Sequence, residues 1–77
     1  MLKETMQTRM LKLDNQDYLI TNEIVLDNIK YYLLINLSNP EDIIIRKEVE
    51  DNGERYIEPL DNDEEFDKVS VEFYKNN

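Results

Sequence analysis

The chain has 77 residues, with nine basic and eighteen acidic side chains, a net charge of −9 and a pI near 4.3. It contains no Cys and no His, which excludes a disulfide framework, thiolate chemistry and the usual neutral-pH proton shuttle. Its acidity argues against direct binding to nucleic acid or to an anionic membrane, both of which require a basic surface.

The length suits one domain over 1–77, burying roughly 60–65% of its extended surface. Residues 1–9 read as a frayed start or a short helix, with Leu2, Met6, Met10 and Leu13 as a stripe, while Leu11 and Leu13 alternate as in a strand. No apolar run approaches a signal sequence or a membrane span, so a soluble, cytoplasmic protein is expected. Asp14–Asp17 separates Met10–Leu13 from Tyr18–Ile20, and Asp27-Asn28 interrupts the runs Ile24–Leu26 and Ile29–Leu37.

A strand over about Lys30–Leu37 is apolar on both faces, with Tyr31, Leu33, Ile35 and Leu37 on one and Tyr32 and Leu34 on the other. That pattern predicts a central strand covered on both sides, with Tyr31 and Tyr32 in the core. Ser38–Asp42 is a loop, because Pro40 fixes its own φ and restricts its predecessor. In Ile43–Glu50 the set Ile43, Ile45, Val49 alternates with Ile44, Arg46, Glu48, as in a half-buried strand. Asp51-Asn52-Gly53 is the best hairpin turn. Arg55–Leu60 is a short strand that Pro59 confines to an edge.

The period then changes. Phe66, Val69, Ser70 and Phe73 fall at i, i+3, i+4 and i+7, which predicts an α-helix at about 62–75, packed through Phe66 and Phe73. Asp61 and Glu64 have the spacing of a capping box, and Glu64 and Lys68 form an i, i+4 pair. The expected fold class is therefore α+β: a small antiparallel β-meander of four to five strands with a C-terminal α-helix.

Tyr56-Ile57-Glu58-Pro59-Leu60, the acidic Asp61–Glu65 and Phe66-Asp67-Lys68-Val69 together resemble the end of the YrzB-like small acidic bacterial proteins, catalogued as domain of unknown function 1292. The likeness extends through Ile29–Leu34, Ile43–Arg46 and Glu50–Glu54, and covers roughly residues 10–75. It implies a β-meander ending in a helix, and it brings no assigned function and no site residues. The chain departs from the pattern in a less acidic loop 38–42 and in its first fourteen residues, as a diverged, phage-borne relative would.

The charge is unevenly placed. Residues 1–40 carry five acidic and four basic side chains, a net of −1, whereas residues 41–77 carry thirteen and five, a net of −8. Because apolar residues are threaded through the acidic half, it reads as folded surface rather than a solvating tail. The candidate partner-binding residues are Glu48, Glu50, Asp51, Glu54 and Tyr56, followed by Glu58, Asp61, Asp63, Glu64 and Glu65. Tyr56 and Tyr74 are the tyrosines expected at the surface.

Paired carboxylates can hydrolyse glycosides or hold metals, but those roles need a cleft and an acid of raised pKa. With no Gly-rich phosphate loop, nucleophile elbow or His-bearing triad, no catalytic residue, enzyme activity or cofactor is expected. A weak calcium loop at Asp61, Asp63, Glu64 and Glu65 is one alternative. In an EF-hand alignment, however, Phe66 occupies the Gly position, and capping accounts for the same acids. The leading expectation is a non-enzymatic protein-binding module that docks on a basic, nucleic-acid-binding surface, in its sharpest version a nucleic-acid-mimicking inhibitor of the anti-CRISPR or anti-nuclease type. The other alternative is a housekeeping regulatory or scaffold protein that self-associates as a homo-oligomer through a strand edge.

Overall fold

The computed structural model describes residues 9–75, so the expected start at 1–9 lies outside the described residues except for Arg9. Five strands, β1 (Met10–Leu13), β2 (Gln16–Leu26), β3 (Ile29–Asn36), β4 (Ile43–Asp51) and β5 (Glu54–Glu58), precede one helix, α1 (Asp63–Lys75). The strands form a single antiparallel sheet in the order β1-β2-β3-β4-β5. The protein is thus an α+β meander with a C-terminal helix. No helix among the described residues is long and apolar enough to cross a membrane.

Turn chemistry sets the meander. Asp14-Asn15, Asp27-Asn28 and Asn52-Gly53 each have positive φ at both positions: 51° and 64°, 55° and 66°, 54° and 82°. That is the requirement of type I′ hairpins, whose twist matches the flanking strands, and Asn, Asp and Gly meet it at least cost. The expected four-residue turn at Asp14–Asp17 contracts to two residues, because Gln16 and Asp17 pair with Leu13 and Lys12. The remaining connection is held by Asn36, which is 3% exposed. Its Oδ1 accepts from the Ser38 amide at 2.9 Å, and its Nδ2 donates to Asp42 Oδ2 at 3.2 Å and to Gln16 Oε1. This side chain stops β3 one residue before the expected Leu37, which is exposed in the loop.

β2 joins the two apolar pieces that the sequence separates. Ile20 pairs with Leu34 and Asn22 pairs with Leu33, leaving Thr21 as a bulge whose Oγ1 donates to the Leu33 carbonyl at 3.3 Å. An extra residue reverses the alternation beyond it. Tyr18 and Ile20 therefore face one side of the sheet, and Ile24 and Leu26 face the other.

Each face consequently has its own core. On the helix side Tyr31, Ile45, Val69 and Phe73 cluster with Ile24, Leu26, Ile29, Leu33 and Leu60. On the opposite side Tyr18, Tyr32 and Leu34 cluster with Leu11, Leu13, Ile20, Ile44 and Ile57. Leu34 is 0% exposed although α1 lies on the other face. Edge strands of a flat five-stranded sheet lie about 19 Å apart, from four spacings of ~4.8 Å. Here Leu11 and Leu13 of β1 and Ile57 of β5 all pack on the same three residues, so the sheet is curled and shields its concave side with its own edges. Arg9, stacked 5.7 Å over the Tyr32 ring, completes the cover.

α1 begins one residue later than the expected capping frame. Asn62 is the N-cap, its Oδ1 accepting from the Glu65 amide at 2.9 Å, and Glu65 reaches back to the Asp61 amide at 2.6 Å. Glu65 thus donates its amide to Asn62 and returns its carboxylate one residue further back, to Asp61, in place of the expected Asp61 and Glu64 pair. Lys68 likewise pairs with Asp27 across the β2–β3 turn rather than with Glu64. Val69 and Phe73 bury the helix, whereas Phe66 is 47% exposed. The reason is position: α1 lies against β2, and its first turn stands over the β4 flank. There Phe66 meets a groove shared with Ile43, Ile45 and Leu60 that is open on one side.

Candidate functional site

The register sorts the acidic residues by face. Ile24, Tyr31, Lys47 and Glu58 form one cross-strand row, and Val49 lies beside Tyr56 and Asp51 beside Glu54 in the neighbouring rows. All of these point to the helix side. From Glu58 the chain turns through Pro59 and Leu60 onto that same side, bringing Asp61, Asp63 and Glu64 to the N-terminal turn of α1. The structure thus gathers Asp51, Glu54, Tyr56, Glu58, Asp61, Asp63 and Glu64 along one flank. Tyr56 is 45% exposed and its hydroxyl donates to Glu54 Oε1 at 2.7 Å, a bond that raises the phenol's pKa together with partial desolvation.

Three of the expected residues do not join this flank. Glu48 and Glu50 alternate to the concave side. Glu48 accepts from the Tyr32 hydroxyl at 2.5 Å and lies 3.6 Å from Arg55. Glu65 turns inward. Its Oε2 accepts from the Tyr31 hydroxyl at 2.7 Å and lies 3.3 Å from Lys47 Nζ. Hydrogen bonding from the Asp61 amide, then from Tyr31 and Lys47, holds the Glu65 carboxyl below its ordinary range against the opposing effect of burial. Burial and the hydrogen bond to Glu65 push the Tyr31 phenol up to about 12, and burial and Glu48 do the same for Tyr32.

Lys47 organises the base of the flank, and sequence reasoning gave it no role. It is 8% exposed and sits 3.1 Å from Asp61 and 3.3 Å from Glu65. Burial works to lower its pKa, but the hydrogen bonds it donates to Asp61 and Glu65 carry it above the ordinary value. The available signal was its place in β4: Lys47 alternates with Ile43, Ile45 and Val49 on the apolar face, where a lone cation needs a carboxylate. Its ammonium sits between Asp61 and Glu65, two of the four residues of the calcium alternative. Among the described residues no group of three or more potential ligands could hold a metal ion.

Most cations elsewhere are committed. Arg9 and Lys30 pair with Glu23, Lys12 with Asp17, Arg55 with Glu48, Lys68 with Asp27 and Lys75 with Glu72, while Arg46 has no ion pair among the described residues and donates to the Ile45 carbonyl at 3.0 Å. On the flank, Asp51, Glu54, Glu58, Asp63 and Glu64 have no ion-pair partner among the described residues. Asp51 and Glu54 even stand directly opposite each other beside the Asn52-Gly53 turn, an arrangement of like charges that is itself destabilising.

Fold and flank together define a class: a small acidic β-meander, clasped by one C-terminal helix, with a carboxylate-rich edge. The family model described as "Protein of unknown function (DUF1292)" matches residues 14–75, and the chain belongs to this family, as the resemblance at its C-terminal half implied. No curated protein and no solved structure matches it.

Proposed function

We propose that the protein is a non-enzymatic binding module whose acidic flank docks on a basic surface of a partner protein. In its narrowest form it occupies a nucleic-acid-binding surface and inhibits that partner. The observation that carries the reading is the local exhaustion of cations: the flank from Asp51 to Glu64 holds exposed carboxylates that no described Lys or Arg neutralises, apart from Asp61 at Lys47. A fixed field of one sign speeds encounter with a cationic partner and makes it salt-sensitive.

Spacing limits the mimicry. Glu54 and Glu58 point the same way four residues apart on β5, about 13 Å at ~3.3 Å per residue. Phosphates recur every ~3.4 Å of axis on each DNA strand. The two carboxylates are therefore spaced for a dispersed basic patch rather than for a run of consecutive phosphate-binding cations. The test is affinity capture from lysate of the source cell at low and high salt, with wild type and with Glu58→Lys/Glu64→Lys. A basic protein captured by wild type, released by salt and missed by the variant is expected. Capture indifferent to both salt and charge reversal ends the reading.

A further inference from the structure

We infer that the free edge of β5 accepts an extended basic segment of the partner protein by strand addition. This rests on the acidic-flank reading and names the form of its partner. In the β4–β5 hairpin, Asp51 and Glu54 flank a two-residue turn, so they form a hydrogen-bonded pair, and pairing alternates from there. Glu54, Tyr56 and Glu58 direct their amides and carbonyls to β4. Arg55 and Ile57 direct theirs outward, where no described backbone group meets them. An edge of this kind is a template for another strand.

The side chains on the edge select the occupant. A second copy of the chain, paired antiparallel about Tyr56, would set Glu54 against the copy's Glu58 at both ends, which is repulsive. The same two carboxylates attract Lys or Arg at positions two residues either side of a residue facing Tyr56. On the concave side the incoming residue beside Ile57 meets a groove of about 230 Å³ lined by Leu13, Ile44, Ile57 and Pro59 together with the polar Asp14, Tyr18 and Arg46, and an aliphatic side chain there packs against its apolar wall. The other sheet edge, β1, is four residues long and carries Lys12, which disfavours a basic strand there. Read antiparallel to Glu58→Glu54, the complementary segment is basic-aliphatic-aromatic-any-basic.

The probe is a peptide with the core Lys-Val-Tyr-Thr-Lys, titrated into isotope-labelled full-length protein and followed by amide NMR and hydrogen exchange. Its control carries N-methyl groups on the Val and Thr amides, which face Ile57 and Arg55 and keep the charge unchanged. Strand addition predicts slowed exchange at the Arg55 and Ile57 amides and binding of the methylated peptide weakened roughly tenfold or more. Equal binding of both peptides, with shifts centred on Asp63 and Glu64, overturns strand addition while leaving charge-driven docking intact. Binding by neither peptide also overturns it, and the flank reading is then decided by the lysate capture alone.

Discussion

Removing the Glu65 carboxylate should be the most damaging single change among the acids. In Glu65→Ala the Asp61 amide loses its acceptor at 2.6 Å, the Tyr31 hydroxyl loses its acceptor at 2.7 Å, and Lys47 retains only Asp61. The Asn62 cap survives, because its donor is the backbone amide, and loss of the bond to the Asp61 amide costs about 1 kcal/mol. Leaving the hydroxyl of Tyr31, a residue 4% exposed, without a partner costs roughly 1–3 kcal/mol. The expected total is about 3 kcal/mol. That is a large share of a stability of about 4–12 kcal/mol, from ~0.05–0.15 kcal/mol per residue over 77 residues. Glu64→Ala, one residue earlier and exposed, should cost only ~0.3–1 kcal/mol through the helix dipole.

Urea unfolding followed by far-UV circular dichroism and tyrosine emission measures both variants, and Tyr31→Phe closes a double-mutant cycle. In the Phe background the Glu65 change should cost about 1 kcal/mol less, because no hydroxyl is left stranded. Acid supplies a second readout. Since the fold holds the Glu65 carboxyl below its ordinary 4.5, the stability it contributes is complete above that pH and is lost as pH falls below it. Equal costs for Glu65→Ala and Glu64→Ala, or additivity in the cycle, would refute the network.

Leu34→Ala should cost roughly 2–5 kcal/mol in the same unfolding assay, although its face carries no helix, because the curled sheet leaves it 0% exposed; a cost below ~1 kcal/mol would mean that the concave core is open. The fold pushes the Tyr31 and Tyr32 phenols up to about 12 from an ordinary 10.0, so their contribution is intact below pH 10 and declines as pH rises toward 12. The double Phe variant should lose most of that alkaline slope, and an unchanged slope would contradict the assignment. Deleting Thr21 should leave a cooperatively folding chain, since Ile20 and Asn22 then alternate regularly against Leu34 and Leu33; loss of cooperative unfolding would show that the bulge is needed for the curl.

Strand β3 and helix α1 were legible because their signals are periodic and strong: Tyr31 and Tyr32 fall on opposite faces, and Val69 and Phe73 fall on one. The edge position of β5 followed from Pro59, which cannot continue a ladder. The single residue Thr21 was not legible, since nothing local marks a bulge and its effect appears only in the partner strand's register. The acidic half was readable as folded surface, but its division between two faces was not. That division depends on the parity of the Asn52-Gly53 hairpin, which sends Glu54 and Glu58 to the helix side and Glu48 and Glu50 to the other. Glu65 was misplaced for a related reason: it stands four residues before Val69 on the buried stripe of α1, and only the fold brings Tyr31 and Lys47 beneath it.

The location of the charge, rather than its total, is the central claim. It is tested by the association rate of the captured partner with three proteins over a range of ionic strength: wild type, Glu58→Lys/Glu64→Lys on the flank, and Asp17→Lys/Glu23→Lys on β2, three strands from β5. Both variants change the net charge equally. The account predicts a steep fall of the wild-type rate with salt, a much slower and flatter dependence for the flank variant, and near-wild-type behaviour for the distal one. Equal loss in both variants would contradict it, because the partner would then be sensing net charge alone.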